Sequence, residues 1–253
     1  MPGADRGQPG RAVSGPGSYT TNAAAMWVSL TPWARVRLDT AQALVIEVAA
    51  QGTTRAILRA PLTRLPTAVA EVFGQPLAPG SRVVVEDTFG TVQLPDTRDL
   101  TVWHVPAMTW PGRPAPPPRQ VSVTVAPVTD EEGLATAEQV IVAGFPRPYP
   151  QRGQLLPAML LKNPAWRVWL AERDGEPAGA GCTFDDGDAV GVHWVATLPE
   201  HRSQGVARAL MTSMLTAFAG RLMTLVATNA GEPLYSSLGF TAVSTAAWYR
   251  RVG

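Results

Sequence analysis

The chain is short of everything that would tie it to an oxidising compartment, a bilayer or a polyanion. It has one cysteine, Cys182, in 253 residues, which excludes an internal disulfide. An isolated cysteine reads as a small buried hydrophobe. Charge of one sign is missing too, with 21 Lys and Arg against 20 Asp and Glu. No global field therefore draws the protein to nucleic acid or anionic lipid, and partners must be recognised locally. No stretch reaches the roughly 18 to 20 apolar residues that cross a bilayer, and the N-terminus lacks the basic-then-apolar order of a secretion signal. The expectation is a soluble, cytoplasmic protein without nucleic-acid or membrane partners. His104, His193 and His201 lack metal-ligand spacing, so no metal is expected.

What is present divides the chain. The opening MPGADRGQPGRAVSGPGSYT carries almost no large apolar side chains to offset ordering entropy, so residues 1–25 are expected to be a disordered tail. The stretch PAMTWPGRPAPPPRQ, residues 106–120, reads as an extended linker because each proline fixes its own backbone and restricts its predecessor. Between them the runs ARVRLD, ALVIEVA, TRAILRA, RVVVED and DLTVWHV read as strands, LTRLPTAVAEVF as a helix and Gln51-Gly52 as a hairpin turn. Residues 26–105 thus form a small α+β domain to which no chemistry attaches. No sequence repeat is evident across the linker, and a divergent structural duplication is left open.

Residues 121–253 are more legible. VSVTV alternates like a strand, and Thr129-Asp130-Glu131-Glu132 has the form of a capping box ahead of apolar residues at helical spacing. After a short helix over QLLPAMLL, the runs RVWLAER, PAGAGCTF and AVGVHWVAT form an antiparallel meander turned at Asp174-Gly175 and Asp186-Gly187. A helix with Val206, Leu210 and Met214 on one face follows, then the strand LMTLVAT, a short helix over Pro233 to Leu238, and two closing strands.

The segment HRSQGVARAL starts its helix badly, since a glycine there costs about 1 kcal/mol relative to alanine. A glycine between strand and helix allows close approach to the backbone, and the free amides of a first helical turn favour an anion. Phosphate is the natural reading. Neither Gly-Lys-Ser/Thr nor G-x-G-x-x-G stands at this junction, so the Walker and Rossmann designs are excluded there. What remains is Arg202-x-x-Gly205-x-Ala207 after a strand ending in Val195, Ala196 and Thr197.

The segment VATLPEHRSQGVARAL resembles the pyrophosphate loop of the GNAT superfamily of acyl-CoA-dependent N-acyltransferases, whose pattern is Arg/Gln-x-x-Gly-x-Gly/Ala. NAGEPLYSSLGF, residues 229–240, resembles the family's second signature at the expected separation. The resemblance covers about the last 130 residues. It implies an α/β fold with a mixed, mainly antiparallel, splayed sheet flanked by helices, preceded here by a smaller α+β domain that is either a degenerate relative or an unrelated module. It implies acetyl-CoA as co-substrate, with the backbone of Arg202, Ser203, Gln204, Gly205, Val206 and Ala207 holding the pyrophosphate. It further implies that Val195, Ala196 and Thr197 pair with the pantetheine arm, that the Thr197 amide holds the oxyanion, and that Tyr235 protonates the departing thiolate. A threonine stands where the family usually has an aliphatic residue. Asn229 reads equally as a pantetheine contact and as a helix cap.

Period-two counting puts His193 on the face of Val195 and Thr197, which makes it the candidate general base unless a bulge reverses the parity. Asp185, Asp186 and Asp188 form an acidic turn that reads as attraction for an amine or as a solvated hairpin. The resulting expectation is an N-acetyltransferase acting on a primary amine, small-molecule or peptide, as monomer or homodimer. The alternative is a non-catalytic acyl-CoA-binding sensor or interaction module.

Overall fold

The computed structural model describes residues 15–94, 99–115, 117, 122–145 and 153–253. One eleven-stranded sheet runs through all of it, with helices on both faces. Helix α1 (Pro16–Val28) leads into β1 (Arg35–Asp39), β2 (Ala43–Val48), β3 (Thr53–Leu58), α2 (Thr67–Gly74) and β4 (Arg82–Asp87). Strand β5 (Leu100–Trp110) is followed by β6 (Val123–Pro127) and α3 (Glu131–Gly144). Then come β7 (Trp166–Arg173), β8 (Glu176–Asp185), β9 (Val190–Thr197), α4 (Val206–Ala217), β10 (Met223–Val226), α5 (Glu232–Ser237) and β11 (Thr241–Val252).

Alternation along the strands explains the layers. In β2 and β3, Leu44, Ile46 and Ile57 pack towards α1 while Ala43, Val45, Ala56 and Leu58 pack on the α2 side, because successive side chains point to opposite faces. The α1 layer continues under α3, through Val168, Ala180, Cys182 and Ala196. On the other face α4 and α5 cover Met108, Val192 and Leu225. Cys182 is fully buried, and burial pushes its thiol pKa up, as expected of a small hydrophobe.

The strand order is β1-β2-β3-β4-β11-β5-β10-β9-β8-β7-β6. The unit β1-β2-β3-α2-β4 repeats the path of β7-β8-β9-α4-β10, two antiparallel pairings followed by a helical crossover to a parallel neighbour. Nothing in the residues betrays this likeness, because the repeat lies in connectivity and in which faces are apolar. The two units also interleave. Strand β5, from the first half, lies between β10 and β11, and the last strand, β11, lies between β5 and β4.

Several local expectations shift. Residues 16–25, expected to be disordered, are helical in α1, whose Tyr19, Ala23, Met26 and Trp27 are buried. Glycine and proline in the preceding stretch masked an apolar face at i, i+4, i+7 and i+8. Residues 1–14 lie outside the described residues. The linker boundary at 106 falls inside β5, and part of PAPPP is likewise outside the described residues. Asp130, not Thr129, caps α3, its carboxylate accepting from the Gly133 amide at 2.8 Å. QLLPAMLL yields only a 3-10 turn, Ala158–Lys162, started by Pro157. The two closing strands are one, bulged between Ala242 and Ser244, and β5 fills the position beside it.

Because β5 and β11 each complete the other half's sheet, the whole chain is expected to unfold in one transition, and residues 122–253 alone to be poorly structured. Calorimetry of the intact chain checks this; two separated melting transitions would count against it.

Candidate active site

The site grows from a parallel strand pair that stops pairing early. Strands β9 and β10 are in register only at Met223 with Val190 and Thr224 with Gly191. Beyond that the strands part, and a cavity of about 200 Å³ opens between them, floored by Leu225, Val226, Leu234 and Tyr235 and mouthed by Thr197 and Ala207. The Leu198 amide donates to Ala178 of β8 at 2.9 Å. In an antiparallel ladder alternate residues turn their backbone groups away from a given neighbour, so the amides of Thr197 and Val195 face the gap.

A bulge sets which side chains point where. Ala180 pairs with Ala196 but Cys182 pairs with His193, so β9 carries one extra residue, and Trp194 takes φ 54 to absorb it. The parity expected for His193 is therefore reversed. Its imidazole lies on the α1 face, 6.3 Å between ring centroids from Tyr19, whereas Val195 packs with the α4 layer. Trp194 is held by stacking on Trp166 at 5.9 Å and by an edge contact to Trp27 at 6.1 Å.

At the mouth, Gly205 caps α4 with φ 86, a conformation that side chains with a Cβ resist. The Arg202 amide is engaged with Pro199 at 3.3 Å, and the next backbone bond is Ala209 to Gly205 at 2.9 Å. Among the described residues, the amides from 203 to 208 have no backbone acceptor. The run of amides without a backbone acceptor thus begins at Ser203, one residue after Arg202. The Arg202 guanidinium ties the loop down through Gly144 O at 3.0 Å and Thr197 O at 3.4 Å.

Tyr235 is almost buried in the slot, and burial pushes its pKa up to about 12, so the phenol keeps its proton at neutral pH. Thr228, not Asn229, caps the turn into α5: its hydroxyl and carbonyl both accept from the Gly231 amide. That removes the capping reading of Asn229, which is exposed. The acidic turn is structural, with Asp185 paired bidentately to Arg221 at 2.7 and 2.9 Å and Asp186 holding Asn22 at 3.0 Å.

A second cavity, of about 150 Å³, adjoins the slot and shares Phe145, Val192, Trp194, Val226 and Thr228 with it. Its far wall comes from the first half of the chain: Tyr19 and Trp27 of α1, Arg55 of β3, Glu86 of β4. Arg55 and Glu86 form a buried ion pair, and the guanidinium lies 5.2 Å over the Trp27 ring. Glu138 of α3 is buried and accepts from the amides of Gly153, Leu155 and Leu156 at 2.6 to 3.0 Å, placing Leu155 on the cavity wall.

His193 borders this second cavity. The Asn22 amide nitrogen faces Phe184 O, Asp186 Oδ2 and Ala189 O at 3.0 to 3.1 Å, leaving its oxygen for His193 Nε2 at 3.2 Å. Nε2 must therefore carry the proton and Nδ1 the lone pair. Gly191 makes room for this contact, since a Cβ there would lie 1.8 Å from Asn22 Oδ1. Tyr19 and Asn22 sit in the stretch read as a tail, and Trp27 opens the domain to which no chemistry was attached, so the sequence reading misses all three. Their helical spacing was the available signal.

A parallel pair opened over a helix N-terminus, with a buried phenol beneath, is the arrangement of an acetyltransferase fold. Residues 164–242 match the family model described as the acetyltransferase (GNAT) domain. Among solved structures, a GCN5-related N-acetyltransferase from Kribbella flavida superposes with TM-score 0.63 at 17% identity, over 93% of this chain and 96% of that one. One from Sphaerobacter thermophilus gives TM-score 0.59 at 13% identity, over 95% and 90%. A GNAT-family protein from Novosphingobium aromaticivorans gives 0.55 at 16%, over 85% and 91%. At these identities the likeness is one of fold, and it extends across both halves. No curated protein matches the chain.

Burial lowers the His193 pKa from 6.5 to about 4. Between those values the unfolded chain binds a proton that the folded chain does not, so stability falls as pH drops through this window and levels off below it. At about 1.4 kcal/mol per unit the effect is on the order of 3 kcal/mol. Denaturant titrations of wild type and His193→Gln from pH 4 to 7 check this, the variant losing most of that slope.

Proposed function

We propose that the protein transfers an acetyl group from acetyl-CoA to a primary amine by direct attack. The observation that carries this reading is the two-position register of β9 with β10, which leaves the amides of Val195 and Thr197 facing the gap beside an amide-rich helix start. The amides of residues 203 to 208 hold the pyrophosphate, and the pantetheine arm lies along β9 as an added strand. Side chains of Arg202, Ser203 and Gln204 matter less than their backbone, while Asn229 at the rim contacts the pantetheine amides.

The acetyl carbon then sits at the junction of the two cavities. The amine's lone pair forms a bond to the thioester carbonyl carbon, and the carbonyl oxygen takes the charge under the Thr197 amide. Collapse of that intermediate breaks the carbon–sulfur bond, and Tyr235 donates to the sulfur. A phenol near 12 donates more readily to a thiolate whose own pKa is raised by the same dry surroundings. His193 presents Nδ1 to the amine, orienting its lone pair and passing the released proton through water. With a pKa near 4 it stays neutral throughout the physiological range, so it favours an amine that arrives uncharged.

Gly205→Asp should weaken acetyl-CoA binding at least tenfold, because it strains a left-handed position and sets a carboxylate against phosphate; calorimetry with acetyl-CoA reads it directly. Tyr235→Phe should leave that affinity within about twofold while lowering kcat by ten- to a hundredfold in a thiol-release assay. Tight acetyl-CoA binding with no release against any amine would favour the sensor reading instead.

A further inference from the structure

The second cavity says more about the acceptor than its being an amine. Its volume, about 150 Å³, is that of a cavity that holds one benzene ring. Its walls are aromatic, with Trp27, Trp194 and Trp248 around one space. Its two formal charges, Arg55 and Glu86, already face each other, so the wall carries no net formal charge to hold a second ammonium or a free carboxylate.

An uncharged donor lines it as well. The Trp248 indole Nε1 is buried and has no hydrogen-bond partner, although a buried donor left unpaired is costly. Trp248 pairs in register with Glu86, so it marks the end of the cavity away from the coenzyme slot. His193 marks the other end. From β11 to β9 the sheet order passes β5 and β10, three strand spacings or about 14 Å across the sheet, and the registers set Trp248 further along the strands as well. A molecule that meets both ends is therefore elongated, rather than one with both functions on adjacent carbons.

We propose that this cavity, given the acetyltransferase reading above, takes a small amine with a flat ring-sized apolar body and an uncharged oxygen at the end remote from the amine. The oxygen accepts from Trp248 Nε1, the ring lies among the tryptophans, and the amine reaches His193 Nδ1 beside the acetyl carbon. Diamines and polyamines are excluded by the cost of burying a second charge against a neutralised pair.

The test compares tyramine, phenethylamine and spermidine as acceptors in a thiol-release assay. The expected result is a kcat/KM for tyramine about tenfold above that for phenethylamine, with spermidine lowest. In Trp248→Phe, which keeps a ring and removes the donor, the ratio of kcat/KM for tyramine to that for phenethylamine should fall to within about twofold. Equal turnover of tyramine and phenethylamine by the wild type, or a preference for spermidine, overturns the proposal without help from any variant. If no amine is acetylated, tyramine binding is followed by calorimetry in the presence of coenzyme A. Binding that weakens in Trp248→Phe keeps the cavity assignment and overturns catalysis; no binding overturns both.

Discussion

The early end of hydrogen bonding between β9 and β10 is the constraint on which the rest of the site depends. Backbone donors and acceptors inside a protein are almost always paired, and a parallel strand pair that parts after two residues leaves several without partners. The structure tolerates this because the gap is open to solvent at the α4 end and because neighbouring elements hold it apart. Arg202 anchors the loop at one lip, Tyr235 fills the base, and the bulge at Trp194 drives a large ring into the α1 layer on the other side. A ligand with its own row of amides and carbonyls restores the missing pairings.

The first half of the chain shows what happens when that constraint is relaxed. Its corresponding parallel pair, β3 with β4, stays in register over five positions from Thr53 to Ile57, and α2 starts after Pro66 without a glycine cradle. The equivalent of the slot is zipped shut. What survives is the outer surface of the same layer, and there Arg55 and Glu86 line a cavity that belongs to the other half. One copy of the topology is open at its parallel pair, and the second, closed there, contributes a wall.

Most of the second half was legible in the residues. Asp174-Gly175 and Asp186-Gly187 turn where they should, and Gly205 stands at the start of α4 as its segment implied. The failures have physical causes. Period-two counting cannot register an extra residue, so His193 was given the wrong face until the bulge was seen. The partner of His193, Asn22, lies 171 residues away, a distance no local pattern spans. The exchange of β5 and β11 is invisible because both strands alternate as any strand of a two-sided sheet would.

That exchange has a consequence for how the chain is made. Synthesis proceeds from the N-terminus, and β5 emerges long before β10 and β11, the strands on either side of it. Arg251, almost the last residue, pairs with Asp99, 152 positions earlier. The first half must therefore wait on the ribosome with two unsatisfied strand edges, the kind of surface that recruits chaperones or other chains. A chain that stopped before Thr241 would lack the strand that joins its halves, and with it the wall on which Trp248 sits.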